Sequence, residues 1–69
     1  MVLYKNIRLY REKNGWTLKQ VAQMIGIDYA NLSRIERGVI KGVSIETVIK
    51  LSQLFEITLD ELVFKELEK

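Results

Sequence analysis

The side chains that could do chemistry in this 69-residue chain are its cations and its hydrogen-bonding groups, because it contains no histidine and no cysteine. Imidazole bases, thiol nucleophiles, disulfides and nearly all zinc sites are thereby excluded. No phosphate loop or nucleophile-and-base arrangement takes their place, so an enzyme is not expected, and neither is a cofactor or a metal. What the chain has is polarised charge. Residues 1–42 carry Lys5, Arg8, Arg11, Lys13, Lys19, Arg34, Arg37 and Lys41 against Glu12, Asp28 and Glu36, a net of +5; residues 43–69 carry three lysines against six acids, a net of −3. A basic front half suits a polyanion, from which the acidic rear half would be turned away. The guanidinium of Arg34 offers a planar fork that fits O6 and N7 of guanine, or clamps a phosphate. Thr17, Lys19, Arg37 and Lys41 fall at a helix start and around a loop, which suits phosphate contacts; for each lysine alone, plain solvation is the competing reading.

These side chains must be positioned by helices. A length of 69 residues and an apolar fraction of 48% predict one small domain over residues 1–69, with no membrane span and no export signal, hence a cytoplasmic protein. Asn14-Gly15 ends a first helix that begins near Leu3 to Asn6. Thr17 with Gln20 reads as a capping box opening a second helix, which puts Val21, Ala22 and Ile25 on one face and closes at Gly26. Asp28 is expected to cap a third helix from Tyr29 to about Arg37, its carboxylate accepting from the N–H of Ala30 or Asn31. Leu32 and Ile35 form the inward stripe of that helix, leaving Tyr29, Ala30, Ser33, Arg34 and Arg37 outward. Ser44 caps a fourth helix, and Thr58 with Glu61 opens a fifth, expected from Leu59 to about Leu67. The fold class is therefore all-α, a five-helix bundle. Two helices joined by a short turn containing glycine, the second with a polar and basic outer face, make a helix-turn-helix over about residues 17–37.

The residues extend that pattern. Ile7-Arg8-Leu9-Tyr10-Arg11, Gly15 to Ala22, Gly26-Ile27-Asp28, Leu32 to Gly38 and Ser44-Ile45-Glu46-Thr47 resemble the Cro/C1-type, or XRE, helix-turn-helix regulators, and the resemblance runs from Asn6 to Leu62. It implies a lambda-repressor-like domain that binds double-stranded DNA, usually as a homodimer, and switches transcription, as a repressor or operon controller on a near-palindromic operator. It also implies that Tyr29, Ala30, Asn31, Ser33 and Arg34 occupy positions that face bases or nearby phosphates, that Arg11 and Glu36 form an internal ion pair, and that Tyr10, Trp16 and Phe55 pack in the core.

Three departures stand out: Leu18 replaces a common Gln, the segment Val39 to Val43 is about one residue longer than the usual loop and lacks its common proline, and Glu56 replaces a usual Gly. If residue 56 is left-handed, glutamate costs about 1 kcal/mol there. Leu59, Leu62 and Val63 are expected inward, with Phe64 and Leu67 at the edge, where together with Val39 and Ile40 they would form a dimer interface. In the alternative, Phe64 folds back onto Val2 or Leu3. A different class of function also fits the apolar residues: an antitoxin-like or adaptor module binding another protein through its last helix and Leu9, Met24, Val39 and Ile40.

Overall fold

The computed structural model describes residues 3–39 and 42–66. Among them the order is α1 (Leu3–Lys13), α2 (Leu18–Ile25), α3 (Tyr29–Glu36), α4 (Ile45–Phe55) and α5 (Leu59–Val63), with no strand. The chain terminates its helices by one device repeated four times. At the ends of α1 to α4 the backbone closes with paired bonds that reach back over the last turn, Trp16 N–H to Arg11 C=O and Ile57 N–H to Ser52 C=O among them, each at 3.0 Å. The pivot must be left-handed, and it is Gly15, Gly26 and Gly38 in three cases but Glu56, at φ 57°, in the fourth. The strained alternative is thus the one adopted.

Helix starts follow the side-chain caps. Thr17 and Thr58 each form a complete capping box, with Gln20 and Glu61, and Ser44 accepts from Thr47 N–H. Asp28 departs from expectation. Its backbone is extended and its carbonyl accepts from Leu32 N–H at 3.0 Å, but its carboxylate makes no cap bond. The side chain is exposed, as are those of Thr17, Ser44 and Thr58, which do cap, and nothing in the structure explains the difference.

The core comprises Leu3, Ile7, Val21, Ala22, Ile25, Leu32, Ile35, Val48, Leu51, Phe55 and Leu62, to which all five helices contribute. Tyr10 and Trp16 lean on Phe55, with ring centroids 5.6 and 6.3 Å from its own. Asn6 is buried on the apolar face of α1, and its Nδ2 donates toward the carbonyls of Lys65, Leu62 and Glu61 at 2.7, 2.9 and 3.2 Å. Those bonds tie α1 to the end of α5, which stops at Val63 and not near Leu67. Phe64 and Lys65 N–H turn back to Asp60 C=O. Leu59 opens α5 at its lip and is 38% exposed, contrary to the inward expectation, and Phe64 is 69% exposed and so does not fold back onto the core. No helix among the described residues is long and apolar enough to cross a membrane.

Candidate nucleic-acid interface

Three residues, Gly26 to Asp28, separate α2 from α3, and the left-handed Gly26 sets the angle between them. Val21, Ala22 and Ile25 of α2 are buried with Leu32 and Ile35 of α3, and Ala22, a single methyl at this contact, keeps the helices close. Burying that stripe presents the opposite face of α3. Helical spacing resolves it into two ridges, Tyr29 with Ser33, and Ala30 with Arg34 and Arg37. Tyr29, Ala30, Arg34 and Arg37 are exposed and Ser33 is half-buried. Asn31 shares its ridge with buried Ile35 and is itself half-buried, which sets it on the flank of the presented face.

The cations on this face differ in freedom. Arg34 makes no side-chain hydrogen bond among the described residues, whereas Arg37 Nε donates to Ser33 C=O at 3.4 Å. Thr17 and Lys19, at the start of α2, are exposed. The Thr17 hydroxyl oxygen accepts from Gln20 N–H at 3.1 Å, and Gln20 Oε1 accepts from Thr17 N–H at 2.7 Å. The cap uses the oxygen of the hydroxyl and leaves its hydrogen free to donate outward. Lys41 lies outside the described residues, as do Ile40 and Leu67.

Behind the face lies the tie that fixes its orientation. Arg11 Nε donates to Glu36 Oε2 at 2.9 Å, Nη2 donates to Glu36 Oε1 at 2.8 Å, and Nη1 donates to Trp16 C=O at 3.0 Å. The two side chains are 15% and 8% exposed. Bonding to Glu36, opposed by desolvation, holds the Arg11 guanidinium above its ordinary range. One side chain thus joins α1, the entry to α2 and the end of α3. The Trp16 carbonyl had no signature in the sequence; only the fold brings it within reach. The exposed Asp28 carboxylate at the tip of α3 was likewise not foreseen as part of the presented surface.

Among the described residues no cluster of acidic side chains could hold a metal ion. The surface offers guanidinium, hydroxyl and aromatic groups on a rigid helix, suited to a polyanion with a patterned hydrogen-bonding surface.

Comparison with known proteins agrees with this geometry. A family model described as helix-turn-helix matches residues 7–62. The HTH-type transcriptional regulator SlrR of Bacillus subtilis is 41% identical over 56 residues, which are 81% of this chain and 37% of SlrR. The N-terminal DNA binding domain of SinR from Bacillus subtilis matches with a TM-score of 0.88 at 27% identity, covering 97% of both chains. SinR, described as the master regulator for biofilm formation, in complex with DNA matches with a TM-score of 0.81 at 28% identity, covering 88% of this chain and 97% of that one. The chain spans about half or less of the length of the curated relatives it matches.

Proposed function

Since the chain belongs to the helix-turn-helix family of Cro/C1-type, or XRE, regulators, we propose that it reads duplex DNA by sequence and regulates transcription in the cytoplasm, as a repressor or operon controller. The observation that carries this reading is the outward face of α3, polar and cationic, backed by the buried two-pronged Arg11–Glu36 pair. Tyr29, Ala30, Ser33 and Arg34 contact base edges, with Asn31 at the margin. Arg34 is the strongest reader, because two parallel donors meet O6 and N7 of guanine. The exposed Thr17 hydroxyl, Lys19, Arg37 and Lys41 contact phosphates and set the register.

Size supports a homodimer. The Cα trace measures 26 × 26 × 19 Å, less than the roughly 34 Å between half-sites one helical turn apart. One copy therefore reads one half-site, and a near-palindromic operator needs two. Exposed Val39 and Phe64, 61% and 69% open to solvent, supply apolar surface for the contact, with Ile40 and Leu67 beside them in sequence. Selection of bound sequences from random duplex DNA tests the reading: a recovered motif with two-fold symmetry is expected, and recovery of unbiased sequence would overturn it.

A further inference from the structure

The cationic surface contains one side chain of the wrong sign. Asp28 stands at the tip of α3 directly before Tyr29 and Ala30, it is exposed, and it makes neither the cap bond its position invites nor any other side-chain bond among the described residues. The N-terminal residues of a recognition helix are those that enter the major groove. A carboxylate carried there meets phosphates on both sides and is repelled by them, so it weakens binding to every sequence unless a base presents a donor. The bases differ in that respect. Guanine presents two acceptors, and thymine one acceptor and a methyl. Adenine places its N6 donor beside the N7 acceptor, whereas cytosine presents its N4 donor with no acceptor next to it.

We propose that Asp28 is a specificity determinant, accepting a hydrogen bond from N4 of cytosine at one base pair of each half-site while rejecting guanine at that position. The proposal rests on the DNA-binding reading above and adds a residue to it. Asp28 discriminates by penalty: the carboxylate lowers affinity for all DNA and restores it where cytosine lies opposite. The side chain is free to do so because the fold does not use it as a cap.

The test compares wild type, Asp28→Ala and Asp28→Asn in selection from random duplex DNA, with affinities then measured on the selected operator, on the operator with that pair changed, and on unrelated duplex. Wild type is expected to favour cytosine at one position by about 5- to 150-fold, the range of a good base contact. Asp28→Ala loses the preference at that position alone, Asp28→Asn moves it toward adenine, and both bind unrelated duplex more tightly than wild type. Thermal midpoints of the free variants fall by no more than the few degrees that an exposed charge at a helix N-terminus supplies, since no cap bond is lost. If all three proteins select the same motif, the inference about Asp28 fails while the DNA-binding reading stands. If wild type selects no motif, both fail.

Discussion

Removing the Glu36 carboxylate is the sharpest perturbation the fold offers. Glu36→Ala leaves the Arg11 guanidinium, 15% exposed, with its bond to Trp16 C=O but without the two partners at 2.8 and 2.9 Å. Each hydrogen bond to a charged group contributes about 1.5–3 kcal/mol, so two lost bonds set a range of about 3–6 kcal/mol before relaxation. The retained third bond and the small opening to water place the net near the lower end of the 3–5 kcal/mol typical of a broken buried pair. At roughly 0.05–0.15 kcal/mol per residue, a domain this small would lose about three tenths of its stability or more, and its thermal midpoint would fall by more than about 10 °C. Urea and thermal unfolding of wild type, Glu36→Ala and the double variant Arg11→Met/Glu36→Leu measure the effect. The double variant should recover much of the loss, because no unpaired charge stays buried. A Glu36→Ala midpoint within about 2 °C of wild type would refute the reasoning, since by the same scaling it corresponds to less than about 0.5 kcal/mol.

Other outcomes follow from particular residues. Glu56→Gly relieves the left-handed pivot after α4 and should raise stability by about 1 kcal/mol, read as a shift in urea midpoint at constant slope. The backbone N–H of Thr58, and then its side chain, hold the Glu61 carboxyl below the usual carboxylate range. A carboxyl depressed on folding contributes stability that is present above its unfolded value near 4.3 and is lost as pH falls through its lower folded value. The stability gap between wild type and Glu61→Gln should therefore narrow below about pH 4, and a gap that widens in acid would contradict the cap. Phe64→Asp, at a side chain already open to water, should leave the monomer folded and abolish dimer sedimentation and cooperative operator binding; a stable dimer in that variant would displace the interface.

Helix boundaries were legible wherever a local rule acts through neighbouring residues. The Thr17 and Thr58 boxes and the glycines at 15, 26 and 38 are of this kind, and the Leu32 and Ile35 stripe alone sufficed to orient α3. One misreading lies where a distant group intervenes. Nothing within α5 says that it ends at Val63 with its last carbonyls bonded to Asn6, more than fifty residues away in sequence, although an asparagine on the stripe of Leu3 and Ile7 was a signal that it donates inward. Asp28 fits the cap rule by type and position and still does not cap, although Thr17, Ser44 and Thr58, equally exposed, do; nothing in the structure explains the difference. Asn31 falls to the flank because its i+4 neighbour, Ile35, is core.

The central claim, that α3 reads bases through Arg34, is tested most directly by affinities for the selected operator and for unrelated duplex DNA, measured at one salt concentration in wild type and Arg34→Ala. Specific binding typically exceeds non-specific binding by at least about a thousandfold. Arg34→Ala should lose about 1–3 kcal/mol on the operator, relax the preference at one base pair per half-site, and change binding to unrelated duplex far less. Equal weakening on both DNAs would show that Arg34 touches only phosphate, and would contradict the account.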